Sequence, residues 1–320
     1  MTDAPGQCSA SADGLPFVSI VVAAYNSEKV LPRCLDCLQA QDYPDYEILV
    51  VDNASTDGTR SVADREGVTV LDEPRRGWPA ARNRAWHLSR APLIANIDAD
   101  CFAEPSWLSQ LVARILSDET IGCAVGRTKV EAGKTLAERF YAGLDPFNIE
   151  KYVNNTARAH GRQTPWGGGN NILRREVVEA VGGYDALTFT SGADREFHRR
   201  FESATPYRTV YAPDAVIWHV VRGSCREFFR NSAKYAADAV INGQHDPALE
   251  AYRRDYVRRN LFAIFRNSAG FVYRTLRWLV RKDTKERVAQ TVFWTAQSLG
   301  ALYGTYQGHR RLHRTRRSDE

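Results

Sequence analysis

In the stretch IANIDADCFAEPSWL (94–108), Asp98 and Asp100 come directly after a short apolar run. Alternate residues of a strand face the same side, so the two carboxylates could address one object. Two like charges that close repel, and neither is stable beside a core unless something positive sits there. A divalent cation would satisfy both. Asp is equally favoured in turns and at helix N-termini, so one DxD leaves both readings open.

The elements that must position this pair are legible around it. FVSIVVAAY (17–25), YEILVVDN (46–53), GVTVLD (67–72) and PLIANIDAD (92–100) read as short strands rich in β-branched residues. Between them run an amphipathic helix with Val30, Leu31, Leu35 and Leu38, a helix reaching about Glu66, and WPAARNRAWHLSR (78–90); EPSWLSQLVARILS (104–117) comes next, with Pro in its first turn. Strands alternating with helices predict an α/β fold with a doubly wound, mostly parallel sheet and helices on both faces. Ligands of such sheets bind beyond the carboxyl ends of the strands. Tyr25-Asn26, Asp52-Asn53 and Asp98/Asp100 all fall at those ends, and three polar clusters on one edge outweigh a single DxD.

The loops after the strands exclude two ligand modes. The first strand leads into AAYNSE rather than G-x-G-x-x-G, and no GxxxxGK[ST] occurs. Carboxylates without a phosphate-cradling glycine loop need a metal to hold a phosphorylated ligand, and Mg2+ and Mn2+ prefer oxygen donors. Cys34 and Cys37 form a CxxC, but in a helical setting without the flanks of a redox motif. The six cysteines make no disulfide framework and read as reduced thiols of a cytoplasmic protein. Residues 1–15 have neither a basic nor an apolar signal region and read as a disordered leader.

The order of motifs VSIVVAAYNSEKVLPRCLDCLQAQDYPDYEILVVDNASTDGT, GWPAARNRA and IDAD resembles the nucleotide-sugar-binding half of family 2 glycosyltransferases, which have the GT-A fold. WGGGNNILRREVVEAVGGYD (166–185) is similar to the acceptor-side segment of that family. GADREFHRRF (192–201) resembles its ED-x-D-L-x-x-R cluster, and YAPDAVIWHVVRGS (211–224) the strand that closes the site with a histidine. The resemblance covers about 17–224 and implies a GT-A catalytic domain over 16–224, with a basic, amphipathic helical region after it over 225–320.

Position by position, the resemblance implies that Tyr25 and Asn26 border the nucleotide and that Asp52 accepts hydrogen bonds from the base. Arg82 would lie near the phosphates, Asp98 on the ribose or metal side, and Asp100 on the cation. Asp194 aligns with the general base and Arg200 with the arginine closing that motif; Gly168, Gly169, Asn170 and Glu196 fall on the acceptor side. Asp194 as a simple helix N-cap is the alternative. His219 is a metal ligand, a phosphate contact or a satisfied polar residue. Gly167-Gly168-Gly169 permits close backbone approach or folds a tight turn. Three departures stand out: Ala193 replaces the acidic residue before the base, Glu196 an Asp, and Asn53 a second Asp of many members.

The implied reaction is a metal-dependent, inverting transfer of a sugar from a UDP- or GDP-sugar to a hydroxyl of a glycan or lipid-linked acceptor, as in cell-surface polysaccharide or glycoconjugate synthesis. The cation stabilises the leaving diphosphate and a carboxylate takes the acceptor's proton. The alternative is a non-catalytic nucleotide-sugar-binding or regulatory protein on the same fold. The charge is unevenly divided: residues 1–220 carry 23 Lys and Arg against 29 Asp and Glu, and residues 221–320 carry 20 against 9. A basic tail suggests an anionic surface, here membrane headgroups rather than nucleic acid, for which no motif is present; a solvated appendage is the plainer reading. In VAQTVFWTAQSLGALYGTYQG (288–308), Val288, Val292, Thr295, Leu299, Leu302 and Tyr306 recur at helical spacing as an apolar stripe flanked by basic residues. Together with LFAIFRNSAGFVYRTLRWLVRK (261–282), this composition is that of an interfacial helix, peripheral at the inner face of the cell membrane.

Overall fold

The computed structural model describes residues 14–131, 138–139, 167–186, 192–220, 224–242 and 285–318. Nearly all of the expected leader and the whole of the 261–282 stretch lie outside these residues. The chain divides into two compact units, Met1–Val130 with Phe147–Val220, and Glu131–Pro146 with Val221–Glu320.

In the first unit, strands β1 (Val18–Ala24), β2 (Tyr46–Asp52), β3 (Val68–Asp72) and β4 (Leu93–Asp98) alternate with helices α1 (Leu31–Gln39), α2 (Thr59–Ala63) and α3 (Trp78–Leu88). Next come β5 (Cys101–Ala103), α4 (Trp107–Leu116), β6 (Ile121–Val130), β7 (Asn170–Arg174), α5 (Arg175–Val181), α6 (Ala193–Ala204) and β8 (Arg208–His219). One sheet takes the order β3-β2-β1-β4-β7-β6-β8-β5.

Period-two burial explains why helices cover both faces. Val18, Ile20 and Val22 of β1, with Ile48 and Val50 of β2, pack beneath Leu31, Leu35 and Leu38 of α1 and Trp107 and Leu111 of α4. Val21, Leu49 and Val51 point the other way, toward Ala81, Ala85 and Trp86 of α3 and Phe197 and Phe201 of α6. Two separate cores thus clamp the strands, as the near-continuous apolar runs of a buried parallel sheet require.

The first four strands pair in parallel, as the alternation of elements implies. At β4 the sheet changes character: β7 runs antiparallel to it, β6 antiparallel to β7, and β8 parallel to β6. The segment expected on the acceptor side therefore inserts as a strand beside β4 rather than as another parallel unit.

Asn96 of β4 faces Asn171 of β7 in register, and both are completely buried. Asn96 Nδ2 donates to Asn171 Oδ1 at 2.8 Å, and Trp86 Nε1 donates to Asn96 Oδ1 at 2.9 Å. Asn171 Nδ2 donates onward to the Gly167 carbonyl at 2.6 Å. Buried amides are tolerable only when so paired. Neighbouring Asn170 is occupied differently, accepting from Trp107 Nε1 at 2.8 Å on the opposite core.

In the second unit, α7 (Cys225–Asn242) and α8 (Lys285–Ser318) lie side by side. Gly300, Gly304 and Gly308 of α8 meet Phe229, Ala233 and Ala237 of α7 in that order, so the helices run parallel. A Cβ at Gly304 would fall 1.9 Å from the Ala233 carbonyl oxygen, which only glycine permits. Among the described residues, no helix is long and apolar enough to cross a membrane.

Replacing Asn171 by Leu strands the Asn96 amide and the Gly167 carbonyl, and should cost about 1–3 kcal/mol in urea unfolding. An unchanged midpoint would show that the buried amide chain carries no weight.

Candidate active site

The four parallel strands end at Ala24, Asp52, Asp72 and Asp98, so their carboxyl ends share one edge. The loops beyond them interlock by side-chain to backbone hydrogen bonds. Asn26, at φ 48, accepts the Thr56 N–H on Oδ1 at 2.8 Å, joining the first loop to the second. Buried Asp52 accepts the Ser55 N–H at 3.1 Å. Asn53 donates from Nδ2 to the carbonyls of Glu73 (2.9 Å) and Arg75 (2.6 Å) and accepts the Gly77 N–H at 2.7 Å. Aspartate could not make the two donations, which is a physical reason for Asn at this position. Tyr25 stands 43% exposed at the rim, with the Arg76 guanidinium 3.6 Å above its ring centre.

Arg82 is only 2% exposed although it carries a full charge. Its Nη2 donates to Asp98 Oδ1 at 2.6 Å, and its guanidinium lies 4.7 Å from the centre of the Trp78 ring. Asp98 closes β4 with its side chain half-buried, one carboxylate oxygen tight against the Gly169 backbone. Burial pushes its carboxyl above the usual range; Arg82 opposes this, Asp100 and Asp194 add to it, and His219 pulls it down.

Asp100 is not on the strand, as simple alternation would have it, but in the two-residue turn between β4 and β5. There its Oδ1 lies 3.6 Å from His219 Nε2, at the end of β8. Cys101 pairs with His219 across β5 and β8, and one donor atom each from Asp100, Cys101 and His219 falls within 4.8 Å of the others. Burial pushes the Cys101 thiol up, and a soft sulfur donor is in any case ill matched to a hard cation such as Mg2+ or Mn2+. The Asp100 carboxylate and the His219 imidazole remain of this group, with Asp98 near enough to feel both charges; carboxylate oxygens of this kind suit Mg2+ or Mn2+.

The glycine turn lies between these groups. A Cβ at Gly169 would stand 2.1 Å from Asp98 Oδ2, and one at Gly168 would stand 3.3 Å from both Arg82 Nη1 and Asp194 Cβ. Close approach, rather than turn geometry alone, is what these two glycines provide. Asp194 lies in the first turn of α6, where the helix dipole favours its charge. The turn thus brings Arg82, Asp98 and Asp194 around two residues of bare backbone.

Arg200 and Glu196 are engaged elsewhere. Arg200 donates to Glu196 at 2.6 and 2.7 Å in a bidentate pair and to the Gly183 carbonyl at 2.8 Å, bracing α6 against the end of α5. Asn170 points into the core, away from the glycine turn. The CxxC pair is inert: Cys34 and Cys37 are free, burial pushes both thiols up, and the Cys34 thiol donates to the Asp98 carbonyl at 3.8 Å.

Aromatic residues inside the segments quoted above, to which no motif assigns a role, complete the wall. Tyr184 packs against Trp78, Trp86 and Phe197 with ring centres 4.7 to 4.9 Å apart. This aromatic cluster joins α3, which carries Arg82, to α6, which carries Asp194. Its sequence trace was only an aromatic residue in each of three distant segments.

Alanine at Gly169 should leave thermal stability within a few degrees while displacing the Asp98 carboxylate. Mn2+ binding, read by electron paramagnetic resonance, should weaken at least tenfold. Wild-type binding in the variant would remove the turn from the site.

The family model described as Glycosyl transferase family 2 matches residues 19–182. Glycosyltransferase AglE of Haloferax volcanii is 30% identical over 218 residues, which are 65% of this chain and 68% of that protein. Putative glycosyltransferase EpsH of Bacillus subtilis is 28% identical over 172 residues, about half of each chain. Among solved structures, the mannosyltransferase PcManGT from Pyrobaculum calidifontis, in complex with GDP-Man and Mn2+, has a TM-score of 0.59 at 21% identity, covering 90% of this chain and 88% of that one. Glucosyl-3-phosphoglycerate synthase from Mycobacterium tuberculosis, in complex with Mn2+, UDP and phosphoglyceric acid, has a TM-score of 0.52 at 20% identity, covering 72% and 79%.

Proposed function

The chain belongs to glycosyl transferase family 2 and is a glycosyltransferase, and from that premise we propose an inverting transfer from a nucleoside-diphosphate sugar to a glycan or lipid-linked hydroxyl. The observation that carries this reading is the glycine turn, which gathers a buried arginine, the end of the DxD strand and a helix-borne carboxylate at one sheet edge. A GDP-sugar or UDP-sugar suits the interlocked loops at Tyr25, Asn26 and Asp52, and the mannosyltransferase and the synthase were captured with GDP-Man and UDP respectively.

In this mechanism Asp194 is the general base. The acceptor oxygen attacks the anomeric carbon as its proton passes to the Asp194 carboxylate, and the bond to the diphosphate breaks with its electron pair leaving on the phosphate oxygen. Arg82 holds Asp98 in place and contributes positive potential beside the leaving group. Asp98, Asp100 and His219 would hold a Mg2+ or Mn2+ ion, which supplies charge stabilisation to the departing diphosphate when bound. Glu196 is tied to Arg200 on the helix, whereas Asp194 lies against the glycine turn together with Arg82, which supports Asp194 for proton transfer. One base, with no second catalytic carboxylate among the described residues, supports direct displacement and hence inversion. The excess of basic residues in 221–320 supports work at the inner, anionic face of a membrane.

Two substitutions separate the roles. Asp100→Ala should abolish metal-dependent thermal stabilisation by UDP or GDP while leaving the apo melting temperature near that of the wild type; unchanged metal dependence would refute the cation site. Asp194→Asn should keep that stabilisation but lower transfer by roughly 10²–10⁴ per folded molecule, the usual worth of a positioned base. Gly192, not Asp194, caps α6, so near-normal turnover with a melting point lowered by the loss of a first-turn charge would make Asp194 structural only.

A further inference from the structure

Four of the large apolar side chains that stand exposed among the described residues, Val292, Leu299, Tyr303 and Tyr306, belong to α8. Their spacing of seven, four and three places them on one stripe of a helix with 3.6 residues per turn. The natural expectation for such a stripe is burial against a neighbouring helix. Here α7 takes the glycine face instead: Gly300, Gly304 and Gly308 lie against its backbone, and Ser298 and Ala301 are buried with them. Leu299, Tyr303 and Tyr306 stay 47%, 50% and 59% exposed. Phe229 of α7 reaches only one of them, its ring centre 5.7 Å from that of Tyr303.

Charge says what kind of surface would cover this face. Arg310 is exposed and continues the stripe four residues beyond Tyr306. On α7, Arg226, Arg230 and Lys234 are exposed at four-residue spacing, forming a cationic ridge. Because Gly300 meets Phe229 and Gly304 meets Ala233, that ridge runs level with Leu299–Tyr306. Tyrosine has an apolar ring and a polar tip, so it suits the depth where acyl chains give way to headgroups. With no described helix able to cross the bilayer, apolar and cationic groups at the same level describe an element lying in the interface.

We propose that the α8 face formed by Val292, Leu299, Tyr303 and Tyr306 docks on an anionic lipid surface, drawn there by Arg310 and the α7 cations. This rests on the proposed work at an anionic membrane face and names the surface that serves it. The tyrosines supply the apolar contact, and the arginines and lysine supply the preference for negative headgroups.

The test uses the full chain and sedimentation with vesicles of phosphatidylcholine, with and without 30% phosphatidylglycerol, a mixture chosen at about the order of a natural anionic leaflet. The wild type should bind only the mixed vesicles and lose binding in roughly 0.5 M salt, where screening is strong. Tyr303→Ser with Tyr306→Ser should bind about tenfold more weakly, and Arg230→Gln with Lys234→Gln about fivefold more weakly per charge removed. Thermal stabilisation by Mn2+ with UDP or GDP, measured on the same preparations, should be unchanged in both variants. Leu299→Ser serves as the second substitution of the face should the double tyrosine variant lose helicity. Wild-type binding by the tyrosine variant overturns the assignment of the face while leaving the membrane reading intact. Failure of the wild type to bind, or equal binding to neutral vesicles, overturns both. A change of sedimentation coefficient in the tyrosine variant without lipid would assign the face to a second copy of the chain, and also overturns the proposal.

Discussion

A hydrogen bond between two buried amides, Asn96 and Asn171, holds together the parts of this molecule that have to act in concert. It lies where a parallel sheet gives way to an antiparallel one, and it fixes the register of β7 against β4. A slip of one residue would turn Asn171 to the other face, away from the Gly167 carbonyl, and set Asn170 or Ile172 against Asn96. The same chain of donors reaches Trp86 on one side and the Gly167 carbonyl on the other. Strand pairing, the orientation of α3 and the path of the glycine turn are therefore one constraint.

Electrostatics at the edge derive from that constraint. The turn admits no side chain between Asp98, Arg82 and Asp194, so opposed charges sit closer than side-chain packing would allow. Arg82 cannot leave, being almost wholly buried and flanked by Trp78. Its fixed charge opposes the effect of burial on Asp98, and Asp100 on its short turn faces His219 instead. The carboxylates thus hold different partners although one residue separates them.

The parallel half of the fold was readable because its strands are β-branched runs between helices, and Tyr25, Asp52 and Asp98 could be placed at its carboxyl edge because they fall at strand ends. The antiparallel half was not, since only Ile172 and Leu173 of NNILR are apolar and direction leaves no mark in five residues. Asp100 moved from strand to turn because β4 stops at Asp98, a boundary that periodicity does not resolve. Asn170 and Asn171 are adjacent and identical in type, yet one serves the Trp107 core and the other the glycine turn. Only the pleat tells them apart. The pairing of Arg200 with Glu196 is an ordinary i,i+4 contact on a helix, visible in spacing but easily set aside when a motif suggests another role. In α8 only part of the expected stripe, Val292, Leu299 and Tyr306, stands together on the exposed face, and Tyr303 joins it, because three glycines claim the packed face.

The glycine turn also divides the site by how it could change over generations. Its contribution is main chain, so no replacement of a side chain can adjust it gradually; almost any mutation there adds atoms where none fit. Across the edge, Tyr25 and Arg76 meet at an exposed rim through a ring and a guanidinium that many residue types could replace. That rim can change its side chains at little structural cost, whereas the turn cannot, so variation is open on one side of the edge and closed on the other.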